Sequence, residues 1–96
     1  MFNWSQLENL NINRLVPFYL MSCFLYYELD VNVLSDNDYN MVCKRLYNEF
    51  DSITHMHKYM LDKDSLKAST ALGIKYTDMI KKASEIWYKE YLKYTN

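Results

Sequence analysis

One glycine and one proline in 96 residues, Gly73 and Pro17, constrain this chain more than any other feature. Tight turns between strands draw on Gly for positive φ and on Pro for a fixed φ. A chain with one of each has few places to reverse direction in that way. Helices joined by short links need far fewer such residues. The expected fold is therefore all-α: a small bundle of four to five helices in one domain over residues 1–96. Half of the residues are hydrophobic, enough for a core without metal or disulfide staples.

Periodicity places the helices. Trp4, Leu7 and Leu10 repeat at helical spacing and predict a short helix over 3–10, capped by Asn3 or Ser5. Residues 11–14 read as a turn. A second helix is predicted over 14–29, with Pro17 in its first turn, where a missing N–H costs nothing. Leu15, Phe18, Tyr19, Met21, Phe24 and Leu25 cover most of its directions, as in a central helix. Residues 30–34 form a link. Ser35 is the expected N-cap of a third helix, 36–51, with Asp36 and Asp38 complementing its dipole and Asp38 placed to close a capping box. Its apolar stripe is Tyr39, Val42, Cys43, Leu46, Phe50 and Ile53; Asn37, Lys44, Asn48 and Glu49 lie opposite. Residues 54–63 are irregular, 64–72 predict a short helix stopped by Gly73, and Thr77 caps a last helix over 77–94. Ile80, Ala83, Trp87 and Tyr91 or Leu92 form the buried stripe of that last helix. The expected core is Phe24, Leu25, Val42, Cys43, Leu46, Phe50, Ile80, Ala83 and Trp87.

The net charge of −1 is unevenly spread. Residues 1–40 hold Arg14 against Glu8, Glu28, Asp30, Asp36 and Asp38; residues 41–96 hold ten Lys or Arg against seven acids. Neither half is a block of like charge, and no basic recognition face exists, so nucleic acid is not an expected partner. The longest apolar run, LVPFYLMSCFLYY at 15–27, falls short of the about 20 residues a membrane span needs. It also lacks the flanks of a signal peptide. A soluble protein with no membrane partner, located in the cytoplasm (the host cytoplasm if viral), is expected. Cys23 and Cys43 follow neither a zinc nor a redox spacing and read as reduced thiols in the core.

Residues 26–40, YYELDVNVLSDNDYN, concentrate tyrosines and carboxylates at one junction between helices. Capping accounts for Ser35, Asp36 and Asp38, and packing for Tyr39. The tyrosine pair is left over. The stretch resembles the N-terminal helical module, domain Ia, of NAD-dependent DNA ligases. In that family a helix ends in Tyr-His or Tyr-Tyr, continues x-Leu/Met-Asp, and the next helix opens with Ile-Ser/Pro-Asp-x-Glu-Tyr-Asp. Here the residues read Tyr26-Tyr27-Glu28-Leu29-Asp30, then Leu34-Ser35-Asp36-Asn37-Asp38-Tyr39-Asn40. The resemblance implies a site for the nicotinamide mononucleotide half of NAD, with Tyr26, Tyr27, Asp36, Tyr39 and Asn40 at the nicotinamide-contacting positions. Position 40 departs from the family, which has Asp there. No Lys-x-Asp-Gly nucleophile motif exists, and there is no room for a nucleotidyltransferase domain, so the chain is not expected to be an enzyme. His55-Met56-His57-Lys58 and Leu66-Lys67-Ala68-Ser69-Thr70 match stretches of the short ligase-module-like orphan proteins of tailed phages. With these the resemblance covers most of residues 20–90. The abundance of Tyr and Asn also fits the AT-rich coding of a virus or a low-GC bacterium.

His55 and His57 form an HxH pair. Metal binding would need further ligands, and Asp51 and Asp62 qualify only by proximity, so structural histidines and no metal are expected. No glycine-flanked nucleophile supports a Ser/His/Asp hydrolase. Trp87, Tyr88, Tyr91 and Tyr94 cannot all face one core from a single helix, which suits a protein interface. The leading expectation is a non-enzymatic viral or phage accessory protein that binds, and so can inhibit, a host protein. A homo-oligomer is compatible with the same surface. The alternative is a nicotinamide-nucleotide module retaining the ligase-like pocket. The chain calls for no obligatory cofactor, and NMN or NAD would bind weakly because Asn40 removes a carboxylate.

Overall fold

A computed structural model describes residues 4–71 and 74–95, apart from the side chains of Tyr91, Tyr94 and Thr95. Five α-helices account for most of these residues: α1 Trp4–Leu7, α2 Ile12–Leu29, α3 Asp36–Asn48, α4 Lys63–Lys67 and α5 Asp78–Thr95. Two 3-10 turns, Phe50–Ser52 and Lys58–Met60, lie between α3 and α4. No strand occurs among the described residues, and no helix there is long and apolar enough to cross a membrane. The expected all-α bundle is thus the observed fold.

Helix α2 is the centre, packed against both α3 and α5. Leu15, Val16, Leu20 and Leu25 are fully enclosed, so apolar side chains on nearly every face of α2 find a neighbour. Val42, Cys43 and Leu46 bring the stripe of α3 into the same core, and α1 and α4 both pack on α3. Ile53, Leu61, Leu66 and Ala71 fill the side under the long irregular segment.

Several boundaries differ from expectation. Helix α1 is one turn long, and the cap expected at Asn3 lies outside the described residues. Helix α2 starts at Ile12, because the Asn11 side chain accepts from the Asn13 N–H at 2.9 Å and caps it there. Burial of Ile12 and Leu15 rewards the early start. Pro17 consequently sits past the first turn, inside the helix, where its missing N–H leaves the Asn13 carbonyl without a helical donor. Helix α3 begins at the Ser35 cap as expected: Ser35 Oγ accepts from the Asp38 N–H at 3.1 Å. The reciprocal capping-box bond from the Asp38 carboxylate is not made. The helix ends at Asn48 and tightens into the first 3-10 turn instead of reaching residue 51.

Helix α4 ends at Lys67, well before the expected stop at Gly73, which lies outside the described residues. Ser69 takes the left-handed conformation (φ 56°). The Ser69 N–H then reaches the Leu66 carbonyl (3.2 Å) and the Thr70 N–H reaches that of Ser65 (2.9 Å). This pair of bonds is a Schellman termination, here built on Ser. On α5, Thr77 caps as expected, its Oγ1 accepting from the Ile80 N–H at 3.2 Å. The buried stripe is rotated, however. Ile80 and Ser84 are buried, whereas Ala83 and Trp87 are half-buried, as is Phe50 on the far side of the core. Ser84 tolerates full enclosure because its hydroxyl donates to the Ile80 carbonyl at 2.6 Å. Trp87 packs its ring against Phe18 edge-on, with centroids 5.2 Å apart.

Candidate functional site: a cavity where α2 meets α3

The C-terminal turns of α2 carry Ser22, Tyr26 and Tyr27. Ser22 and Tyr26 are four apart and share a face. Asp30 then adopts the left-handed conformation (φ 56°, ψ 38°), with its N–H and that of Val31 both directed to the Leu25 carbonyl. Asp tolerates this region better than most residues. The reversal swings Asn32, Val33 and Leu34 back beside the end of α2. Ser35 then starts α3, whose first turns present Asp36, Tyr39 and Asn40 on one face.

These residues, with Ser69 from the α4 termination, line a cavity of about 180 Å³. Its floor is Ser22, Val33 and Leu34, all buried. Its rim is Tyr26, Tyr27, Asn32, Asp36 and Asn40, all exposed, with Tyr39 and Ser69 half-buried between. The structure thus brings all five residues singled out from the sequence, Tyr26, Tyr27, Asp36, Tyr39 and Asn40, around one opening. Sequence reasoning missed Ser22, the linker wall and Ser69. Ser22 was findable, standing one helical turn before Tyr26. Ser69 was not, since it arrives from thirty residues beyond the junction through a left-handed turn no motif signals.

The walls are held from behind. The Tyr39 ring stacks near-parallel to Tyr19, with centroids 6.1 Å apart, and its hydroxyl lies 3.6 Å from Cys23 Sγ. Burial pushes the Tyr39 and Tyr19 hydroxyls far above the usual phenol range. Burial also raises the Cys23 thiol to about 12 and that of Cys43 to about 11. This tyrosine and cysteine cluster stays protonated and neutral, so it gives the cavity a rigid, uncharged back and no thiolate. Tyr26 and Tyr27 meet edge to face at 5.0 Å. Burial raises the Tyr27 hydroxyl as well. Ser22 has its hydroxyl committed to the Phe18 carbonyl at 2.7 Å. Among the described residues Asp36 forms no ion pair. The cavity can therefore stack on an aromatic ligand, offer carboxamides and one free carboxylate, and attract positive charge.

The histidines lie elsewhere, on the segment between α3 and α4. Their rings stack with centroids 5.3 Å apart, and His55 Nδ1 accepts from the His57 N–H at 3.1 Å. His57 is buried and its Nδ1 has no hydrogen-bond partner among the described residues. Burial and the neighbouring His57 hold the His55 imidazole below its usual range. Among the described residues no three His, Cys, Asp or Glu side chains gather as a metal site would require.

Comparison of the chain with protein families, with curated proteins and with solved structures gives no match.

Proposed function

We propose that this chain is a non-enzymatic binding module whose cavity takes the nicotinamide end of a nicotinamide nucleotide. One observation carries this reading. The five residues that the ligase-module resemblance marks as nicotinamide contacts line a single open cavity. The chemistry is suited to the ligand. Tyrosine faces attract a pyridinium cation. Asp36, free of any ion pair among the described residues, can oppose the ring charge or accept from ribose hydroxyls. Asn32 and Asn40 can exchange hydrogen bonds with the ligand carboxamide. The 180 Å³ volume is below the ~300–1,000 Å³ usual for sites that enclose a drug-sized ligand. It suits the ring and part of the ribose, with the rest of the molecule outside.

Asn40 in place of the family's carboxylate weakens the pull on a cation, so the expected Kd for NMN is about 100 µM or higher, a binding free energy of roughly −5 kcal/mol. Calorimetric titration with NMN, NAD and 1-methylnicotinamide tests this. Saturable binding should be lost in Asp36→Ala and tightened in Asn40→Asp. Absence of saturable binding by all three ligands at millimolar concentration refutes the reading.

A second reading, a viral or phage accessory protein that binds and can inhibit a host protein in the host cytoplasm, has its own support. Met79 and Ile86 stand seven residues apart on α5 and are 60% and 57% exposed. They form an outward apolar pair of the kind that anchors interfaces. Capture of one bacterial protein from lysate, lost in a Met79→Ser, Ile86→Ser double variant, is the expected result. Equal capture by both forms counts against it.

A further inference from the structure

We propose that the cavity selects a phosphate-free pyridinium nucleoside, of the nicotinamide riboside type, over the corresponding nucleotide. The proposal rests on the reading of the cavity as a nicotinamide site and adds which part of the ligand is recognised.

Charge makes the selection. Between Arg14 and Lys44 the chain has no basic residue and four acids, Glu28, Asp30, Asp36 and Asp38. Every lining residue except Ser69 comes from that stretch. Ser69 adds a neutral hydroxyl. Lys67, two residues earlier, is exposed and is not part of the wall. The fixed charge at the opening is thus the Asp36 carboxylate, which meets no cation within the described residues.

A phosphate monoester carries about −1.5 to −2 charges at pH 7. Its strong partners are Arg, Lys and clustered backbone N–H groups, and a helix N-terminus is the usual neutral source of the last. The start of α3 is the one at hand, and it is partly used. Ser35 Oγ takes the Asp38 N–H, and the Ser35 carbonyl takes that of Tyr39. Asp36 and Asp38 in the first turn also offset the positive end of the dipole. A phosphate therefore finds repulsion from Asp36 and only neutral donors in the wall, the Asn32 and Asn40 carboxamides and the Ser69 hydroxyl, while the pyridinium ring keeps its attraction to the same carboxylate. Removing the phosphate relieves that repulsion and leaves the contacts of the ring in place.

Titrations of nicotinamide riboside, NMN and neutral nicotinamide at about 20 mM ionic strength, where exposed charges are little screened, test the proposal. The riboside should bind about threefold or more tightly than NMN, by Coulomb repulsion of the phosphate at an exposed opening. Nicotinamide, lacking the cation, should bind more weakly than the riboside. Raising salt to about 0.5 M should draw the riboside and NMN affinities together. Asp36→Asn should weaken the riboside and bring its ratio to NMN near one. Circular dichroism verifies that this variant, altered at an exposed side chain, stays helical. NMN binding as tightly as the riboside or tighter at low salt overturns the phosphate discrimination and leaves the nicotinamide site standing. No binding by either pyridinium compound removes both. An unchanged riboside to NMN ratio in Asp36→Asn also overturns the proposal, because the carboxylate is then not the discriminating group.

Discussion

Asn13 holds the irregular segment between α3 and α4 to the start of α2, and its removal has a calculable effect. Its Oδ1 accepts from the backbone N–H groups of Thr54 (2.8 Å) and His55 (3.1 Å), and its Nδ2 donates to Thr54 Oγ1 (3.0 Å). The two bonds to Thr54 are exposed and belong at the low end of the net range, about 0.5 kcal/mol each. The bond to the part-buried His55 amide contributes about 1 kcal/mol. Alanine recovers up to about 0.7 kcal/mol through helix propensity. Asn13→Ala should therefore destabilise by about 1–2 kcal/mol, a fall in Tm of roughly 5–15 °C for a domain of this size. Asn13→Asp keeps both accepted amide bonds, lets the Thr54 hydroxyl donate instead, and adds a negative charge near the N-terminus of α2, so it should stay within about 0.5 kcal/mol of the parent. Urea melts give the energies, and hydrogen exchange of the Thr54 and His55 amides gives the location. Those two amides should lose protection in Asn13→Ala and keep it in Asn13→Asp. A destabilisation below about 0.5 kcal/mol with both amides still protected refutes the tether, since the measured bonds would then carry no net stability.

Leu46→Ala, at a fully enclosed side chain on α3, should cost about 2–5 kcal/mol by denaturant unfolding. His55 has a folded-state pKa below its unfolded value, so it is neutral in both states above the unfolded value and the unfolded chain takes its proton first on acidification. Stability should fall as pH drops through 6.5 toward the folded value, and His55→Gln should lessen the Tm difference between pH 7.5 and pH 5. Cys23 and Cys43, buried and held as thiols at pH 8, should react with a disulfide reagent only as fast as the fold opens, with rapid labelling in denaturant.

The junction was the most legible part of the site because its residues are contiguous. A helix end, a five-residue link and a capped helix start leave little freedom for where Tyr26, Asp36 and Tyr39 can lie. The Ser35 and Thr77 caps were legible for the same local reason. Errors arose where a local signal met a stronger distant one. Pro17 pointed to a helix starting at about residue 14, but the Asn11 cap and the burial of Ile12 set it earlier. Gly73, the one glycine, is the stop for α4 that the sequence suggests, while Ser69 adopts the left-handed turn. On α5 the apolar residues Ala83 and Trp87 outranked Ser84 as core candidates. A serine that bonds its own preceding turn can enter a tight helix contact that a larger side chain cannot, and hydrophobicity alone does not register this.

A small helical domain has every reason to close an opening of this kind, since side chains that meet exclude water and gain contacts. Several walls here are fixed by groups outside the cavity. Tyr39 is held behind by Tyr19 and Cys23, and Ser22 by the Phe18 carbonyl. The linker is set by the left-handed turn at Asp30 on one side and the Ser35 cap on the other. Ser69 is set by its own turn, and the next residue is tied to α2 where Tyr19 donates to the Thr70 carbonyl at 3.4 Å. Collapse would break one of these before gaining a contact. The same supports that keep the cavity open are core contacts of the fold, so a ligand that fits finds a preformed site and orders little on entry. Binding then reports directly on stability: at a ligand concentration of 100 times Kd the folded state gains about 2.7 kcal/mol, comparable to one core side chain.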